Sequence, residues 1–154
     1  MIAVAEAAKG PEAHDNQEKI KYLKQYVTLV REVDRMLAER DRCRARIGKL
    51  TAVLTDMPMG GGSIYKNLDT ALIEQIADLE SDCEVKLAAA LKIRASIVAL
   101  INSIEDERER LLMNYRYIDG YKFEWIANEM NYNWRWVHRI HARALSKIKI
   151  DFSK

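Results

Sequence analysis

Glycine and proline are scarce in this chain of 154 residues, which contains only 6 Gly and 2 Pro. A β-sandwich or β-barrel needs many turns, and turns draw heavily on these two residues, so the scarcity argues against both folds. No run of 18 apolar residues occurs, so we expect no membrane-spanning helix and no membrane partner. The first ten residues, MIAVAEAAKG, have neither a basic start nor a sustained apolar stretch, unlike a secretory signal.

Cysteine is equally scarce, since Cys43 and Cys83 are the only two. They are too few for a disulfide scaffold and suit a reducing cytoplasm, where we interpret them as small core residues. The chain also lacks a Ser/His/Asp or Cys/His set, and the glycines at 60–62 are not followed by the Lys-Ser/Thr of a phosphate-binding loop. His138 and His141 have helical ligand spacing without a nearby carboxylate or thiolate. We therefore expect no catalytic residues, no metal and no cofactor.

Charge is unevenly divided along the chain, although the total is only +2. Residues 131–154 contain six basic residues and one acid, while the other 130 residues contain 19 basic residues and 22 acids. A basic end on a slightly acidic body is typical of a nucleic-acid-binding element, and also of an ordinary solvated tail.

The apolar residues of positions 15–104 recur at three- and four-residue steps, which predicts two long amphipathic helices. The first helix carries Ile20, Leu23, Val27, Val30, Leu37, Cys43, Ile47, Leu50 and Leu54; the second carries Leu72, Ile76, Leu79, Cys83, Ala90, Ile93, Ile97, Leu100 and Ile104. A glycine-rich loop at 57–66 separates them, with Asn67 or Asp69 capping the second helix. We predict an all-α, coiled-coil-like antiparallel hairpin over 15–104, preceded by a flexible arm at 1–14.

Three shorter helices are predicted for a separate module at 105–150, at 104–117, 123–130 and 134–150. The spacing of Ala127, Asn131 and Val137 matches a helix-turn-helix, which needs a small residue at the crossing, a left-handed turn residue and an apolar plug. Leu111, Leu112, Tyr115 and Ile118 form the predicted apolar face of the first of these helices.

The last helix has one apolar and one basic face. At 100° per residue, the first of these faces, which we expect to be buried, holds Val137, Ile140, His141, Ala144 and Ile148. No acid occurs on the opposite face, which favours DNA over a merely solvated basic surface. Our predicted DNA-contacting residues are Asn133, Arg135, Trp136, His138, Arg139, Ala142, Arg143, Ser146 and Lys147.

We assign different roles within that set. Arg135 and Arg139 are the expected base readers, and Arg143 and Lys147 the expected phosphate contacts. Trp136 lies at the flank, whereas Trp125 and Trp134 are predicted to lie in the core or at the helix junction. A second basic cluster at 40–49 more often represents a solvated helix surface than a DNA contact.

The stretches LLMNYRYIDG (111–120), FEWIA (123–127) and VHRIHARAL (137–145) resemble the region-4 helix-turn-helix of sigma factors. More narrowly, they are similar to sigma-like phage and prophage transcriptional regulators of the RinA/ArpU type. The resemblance covers residues 50–154, including the glycine-rich loop before a long helix, and is specific over 111–148. It implies promoter-proximal DNA binding and activation of phage genes in a bacterial host, with Arg135, His138, Arg139 and Arg143 on the recognition helix. In the turn, Asn131 replaces the more usual glycine.

Sequence analysis thus predicts a cytoplasmic, sequence-specific regulator that binds double-stranded DNA through its last helix. RNA polymerase is an expected partner, and so is a second copy of the chain bound through the helical hairpin. The alternative is a non-enzymatic interaction module that docks on RNA polymerase or on another regulator.

Overall fold

The computed structural model describes residues 11–56 and 62–152, and the secondary structure over these ranges is entirely helical. Five helices follow one another: α1 (Pro11–Thr55), α2 (Gly62–Asn102), α3 (Glu107–Tyr117), α4 (Phe123–Glu129) and α5 (Trp134–Lys147). The predicted all-α class is confirmed. Within the described ranges, no helix has the length and apolar character needed to cross a bilayer.

Both long helices begin earlier than predicted. α1 starts at Pro11 rather than near Asp15, so residues 11–14 are helical; proline suits a first helical turn because its missing amide hydrogen has no intrahelical partner there. α2 starts at Gly62 rather than at Asn67 or Asp69, so the second half of the predicted 57–66 loop is also helical. The first ten residues of the predicted arm, and loop residues 57–61, lie outside the described residues.

The chain divides into two compact units, one of which is Thr28–Leu91. In this unit, Val33 and Cys43 of α1 and Leu72, Cys83 and Ala90 of α2 are buried. Both thiols are free, as expected for small core residues.

Ion pairs join the two helices within the Thr28–Leu91 unit. Lys86 interrupts the apolar pattern of α2, and its Nζ donates to Glu32 Oε2 at 2.7 Å. This hydrogen bond lowers the pKa of Glu32 and raises that of Lys86. Arg44 Nη2 likewise donates to Glu80 Oε1 at 2.6 Å. The lysine that interrupts the apolar pattern of α2 is therefore paired with an acid of α1.

Among the described residues, the other unit combines 11–27 with 92–152. Its core takes Leu23 from α1 and Ile97 and Ile101 from α2, and packs them with buried residues of α3, α4 and α5. Lys19 Nζ also donates to the Leu145 carbonyl at 3.4 Å. This unit therefore contains residues from both sides of the predicted domain boundary at 104/105. The sequence could not predict this, since helical periodicity identifies a buried face but not the element that covers it.

The apolar face predicted for α3 differs from the face that is buried in the structure. Leu111 of α3 is exposed, while Met113 and Tyr117 are buried beside the expected Leu112. The helix begins after its cap residue Asp106, whose side chain accepts from the amides of Arg108 and Glu109.

Candidate nucleic-acid interface

The turn between α4 and α5 has the local geometry that its sequence predicts. Asn131 has φ of 55°, the left-handed conformation, and it is the only non-glycine residue with positive φ in the described part of the chain. The Tyr132 amide donates to the Ala127 carbonyl at 2.9 Å, which closes the turn. Ala127 and Val137 are both buried at the junction. The left-handed backbone expected of Asn131 and the burial expected of Ala127 and Val137 are observed, while the assignment of this turn to a helix-turn-helix stays a prediction.

Asn133 caps α5 rather than extending outward. Its side-chain oxygen accepts from the Trp136 amide at 2.8 Å, which satisfies a free donor at the helix N-terminus. Asn133, one of the predicted DNA contacts, therefore uses its side-chain oxygen to cap the start of α5.

The apolar face of α5 is buried as predicted. Val137, Ile140, Ala144 and Ile148 belong to the core, and His141 is almost fully enclosed. The hydroxyl of Tyr117 and Nε2 of His141 are hydrogen-bonded at 2.7 Å. Burial lowers the pKa of His141 to about 4, and the nearby His138, Arg116 and Lys24 act in the same direction. Burial also raises the pKa of Tyr117. His141 is therefore a packing residue, as expected.

The opposite face of α5 is exposed, including the arginines expected to read bases. Within the residues that the structure describes, neither the Arg135 nor the Arg139 guanidinium forms an ion pair or a hydrogen bond. Ala142 and Ser146 are exposed on the same face, and Ser146 Oγ donates to the Arg143 carbonyl at 2.7 Å. The guanidinium carbon of Arg143 lies 5.1 Å from the centre of the half-buried Trp136 ring. Small residues and free arginines therefore share one surface.

Lys147 differs from these arginines because an acid neutralises it. Its Nζ donates to Oε2 of Glu109 in α3 at 2.7 Å, and Glu109 is only 2% exposed. Counting charges along α5 could not reveal this partner, since it lies 38 residues earlier in the chain. Lys147 is thus ion-paired, unlike Arg135 and Arg139, while its side chain stays 47% exposed and its predicted phosphate contact stays a prediction.

The two tryptophans outside position 136 were predicted to lie in the core or at the helix junction. Trp134 is 54% exposed and Trp125 is 39% exposed, so neither lies in the core, whereas Trp134, as the first residue of α5, lies directly after the turn between α4 and α5. Trp125 stacks on Tyr121 with ring centres 3.8 Å apart. Trp134 precedes the buried face, which starts at Val137, and this position was the available signal of its exposure.

His138 lies between two aromatic rings at the edge of the basic face. Its ring centre is 4.0 Å from that of Trp134 and 4.5 Å from that of Phe123. Its Nε2 is buried and has no hydrogen-bond partner in the described structure. His138 therefore supports Trp134 rather than presenting a free donor. Among the side chains that the structure describes, no cluster of three potential metal ligands occurs.

Three of the five basic residues in the second basic cluster, at residues 40–49, are paired with acids. Arg40 contacts Asp41, Arg42 contacts Glu39, and Arg44 contacts Glu80. These pairs fit the prediction of a solvated helix surface better than a second DNA contact.

Comparison of the chain with protein-family models, curated proteins and solved structures finds no match. The resemblance to sigma-like phage regulators stays a prediction from the residues that carry it.

Proposed function

We propose that this chain is a non-enzymatic, sequence-specific DNA-binding transcription regulator. In this proposal α4 and α5 form a helix-turn-helix, and α5 enters the major groove of double-stranded DNA as the recognition helix. The carrying observation is the exposed, acid-free pair Arg135 and Arg139 on the face of α5 opposite its buried residues.

Arg135 and Arg139 are the proposed base readers, because a planar guanidinium can donate two hydrogen bonds to guanine O6 and N7. Arg143 is the proposed phosphate contact, held by its position over Trp136. Ala142 and Ser146 allow close approach of α5 to the groove. Asn133, His138 and Lys147 support this surface through the cap, the aromatic packing and the Glu109 ion pair.

The wider context follows from the same proposal. One helix-turn-helix covers about one half-site, so useful affinity requires a dimer or a second anchor. We propose a homodimer formed through an antiparallel hairpin of α1 and α2, with RNA polymerase as a further partner. The resemblance supports a role as an activator of phage or prophage genes in the bacterial cytoplasm.

The test is selection of bound duplexes from a random DNA pool, at two salt concentrations. We expect a defined motif with the wild-type chain, and a loss of about 1–3 kcal/mol at one base position with Arg139→Ala. The matched control is Arg94→Ala, which removes an exposed arginine from α2 and should leave the motif unchanged. Weak, salt-sensitive binding without a motif would contradict sequence-specific recognition.

An exposed aromatic cluster favours the alternative of a protein-interaction module. Tyr121 and Trp125 stack on each other, Tyr115 packs edge-on against both, and Leu111 is exposed on the same helix as Tyr115. Under this alternative, Trp125→Ala abolishes binding to RNA polymerase in a pull-down, whereas Arg139→Ala has no effect on any specific DNA binding. Specific DNA binding that depends on Arg139 favours the first proposal.

A further inference from the structure

Trp134 lies at the N-terminal end of α5, which is the end that enters the major groove first when a recognition helix binds DNA. It is the first residue of α5, immediately after the Asn133 cap, and more than half of its surface is exposed. The N-terminal residues of a recognition helix are those that contact base edges. An exposed indole beside the unpaired Arg135 therefore lies where DNA contacts concentrate.

The indole is also held in place by a series of tilted ring contacts. The ring centre of Trp134 lies 4.0 Å from that of His138, and the ring centre of His138 lies 4.5 Å from that of Phe123. The Arg116 guanidinium carbon lies 4.5 Å from the centre of the Phe123 ring. Because these ring contacts limit the motion of Trp134, binding requires little additional ordering of the side chain.

The other tryptophan of α5 has a different environment. Trp136 is half-buried and carries the Arg143 guanidinium at 5.1 Å. It is therefore already engaged within the protein, whereas Trp134 presents free apolar surface at the leading end of the helix.

We propose that Trp134 determines specificity by packing against the 5-methyl group of a thymine at the outer end of the half-site. This inference rests on the proposed function, in which α5 lies in the major groove. The methyl group is the one apolar feature that a base pair presents there, so it complements an exposed indole that has no charge to place on a phosphate.

Replacement of each thymine in the selected site by deoxyuridine tests the proposal, because this change removes only the methyl group. We expect one position at which the replacement weakens wild-type binding by about threefold to tenfold, the effect of burying one methyl group in a tight contact. Trp134→Ala should bind the thymine duplex correspondingly more weakly, and should bind the thymine and deoxyuridine duplexes equally. Trp125→Ala is the control: it removes a tryptophan on α4 and should retain the wild-type discrimination.

Each other outcome overturns the inference. A wild-type chain that is indifferent to every deoxyuridine replacement, or a Trp134→Ala variant that still discriminates at the same position, excludes the methyl contact. Uniform weakening of Trp134→Ala on all duplexes indicates packing on the sugar-phosphate edge instead. If Trp134→Ala folds poorly, the deoxyuridine replacements with the wild-type chain still test the methyl contact. A wild-type chain that selects no motif overturns the proposed function itself, which is a distinct result.

Discussion

At the residue scale, the left-handed backbone of Asn131 sets the connection between α4 and α5. Asparagine tolerates this conformation better than any other residue except glycine, whereas alanine is strained in it. We expect Asn131→Ala to lower the free energy of unfolding by about 1 kcal/mol and Asn131→Gly to leave it nearly unchanged. Urea denaturation checks this, with Asn128→Ala on the exposed surface of α4 as the control. Equal stability of Asn131→Ala and the wild type would show that the turn does not depend on this conformation.

A second residue-scale prediction concerns pH and the buried His141. Its pKa is lowered from 6.5 to about 4, so between these values the unfolded chain takes up a proton that the folded chain does not. The contribution of buried His141 to the free energy of unfolding is therefore fully present above pH 6.5. It is lost as the pH drops towards 4, by up to about 2–3 kcal/mol. Chemical denaturation across this range should show a slope that His141→Gln reduces.

The control for that slope is His14→Gln, since the side chain of His14 is exposed near the start of α1. It should keep the wild-type pH dependence. If His141→Gln also kept the full slope, carboxylates would be the groups responsible and the assignment to His141 would be wrong.

At the scale of elements, the Glu109–Lys147 pair joins α3 to the end of α5. Lys147→Met leaves the Glu109 carboxylate buried without its cation, and we expect a loss of about 1–3 kcal/mol in unfolding free energy. Glu109→Gln removes the buried charge instead, so it should cost less. Thermal or urea unfolding measures both, with Lys149→Met as the control at an exposed lysine. A larger loss from Glu109→Gln would contradict this account.

The same pair shows which parts of the site could be predicted from sequence. The buried and exposed faces of α5 and the role of Asn131 follow from local periodicity and backbone preference, so they were predictable. The neutralisation of Lys147 depends on an acid in another helix, and the core contribution of Leu23 depends on which element covers α1. Aromatic character alone does not separate a core position from one at the helix junction, and the exposure of Trp134 follows from its place before the buried face of α5.

At the scale of the whole molecule, the basic C-terminal segment is less uniform than its composition suggests. Of its six basic residues, Lys147 is paired with Glu109, whereas Arg135 and Arg139 have no acid partner among the described residues. Arg143 and Lys149 likewise have no acid partner among these residues, so unpaired positive charge extends from Arg135 to just beyond the end of α5. Meanwhile the basic residues 40, 42 and 44 of α1 face nearby acids. This distribution favours a single DNA-contacting surface per chain.

With a single contact surface per chain, the second DNA anchor has to come from a partner, and α2 carries exposed apolar residues suited to the proposed homodimer. Ile73 and Leu91 are each 57% exposed and Leu87 is 47% exposed. Ile73 and Leu91 lie about five turns apart and Leu87 lies about one turn before Leu91, so the three share one side of α2. They follow directly after the buried Leu72 and Ala90 stripe, about 100° around the helix.

We expect the chain to behave as a dimer with twice its 17.8 kDa mass in sedimentation or light scattering. Charged side chains on this side of α2 would have to be desolvated at the interface, so Leu87→Glu combined with Leu91→Glu should yield monomers. The selected DNA motif should then change from a two-fold repeat to one half-site, bound more weakly. Leu111→Glu places the same charge on an exposed leucine of α3 and should leave the dimer intact. A wild-type monomer would contradict the proposed homodimer and leave RNA polymerase as the proposed second anchor. A dimer that survives the double substitution would instead place the dimer interface outside this side of α2.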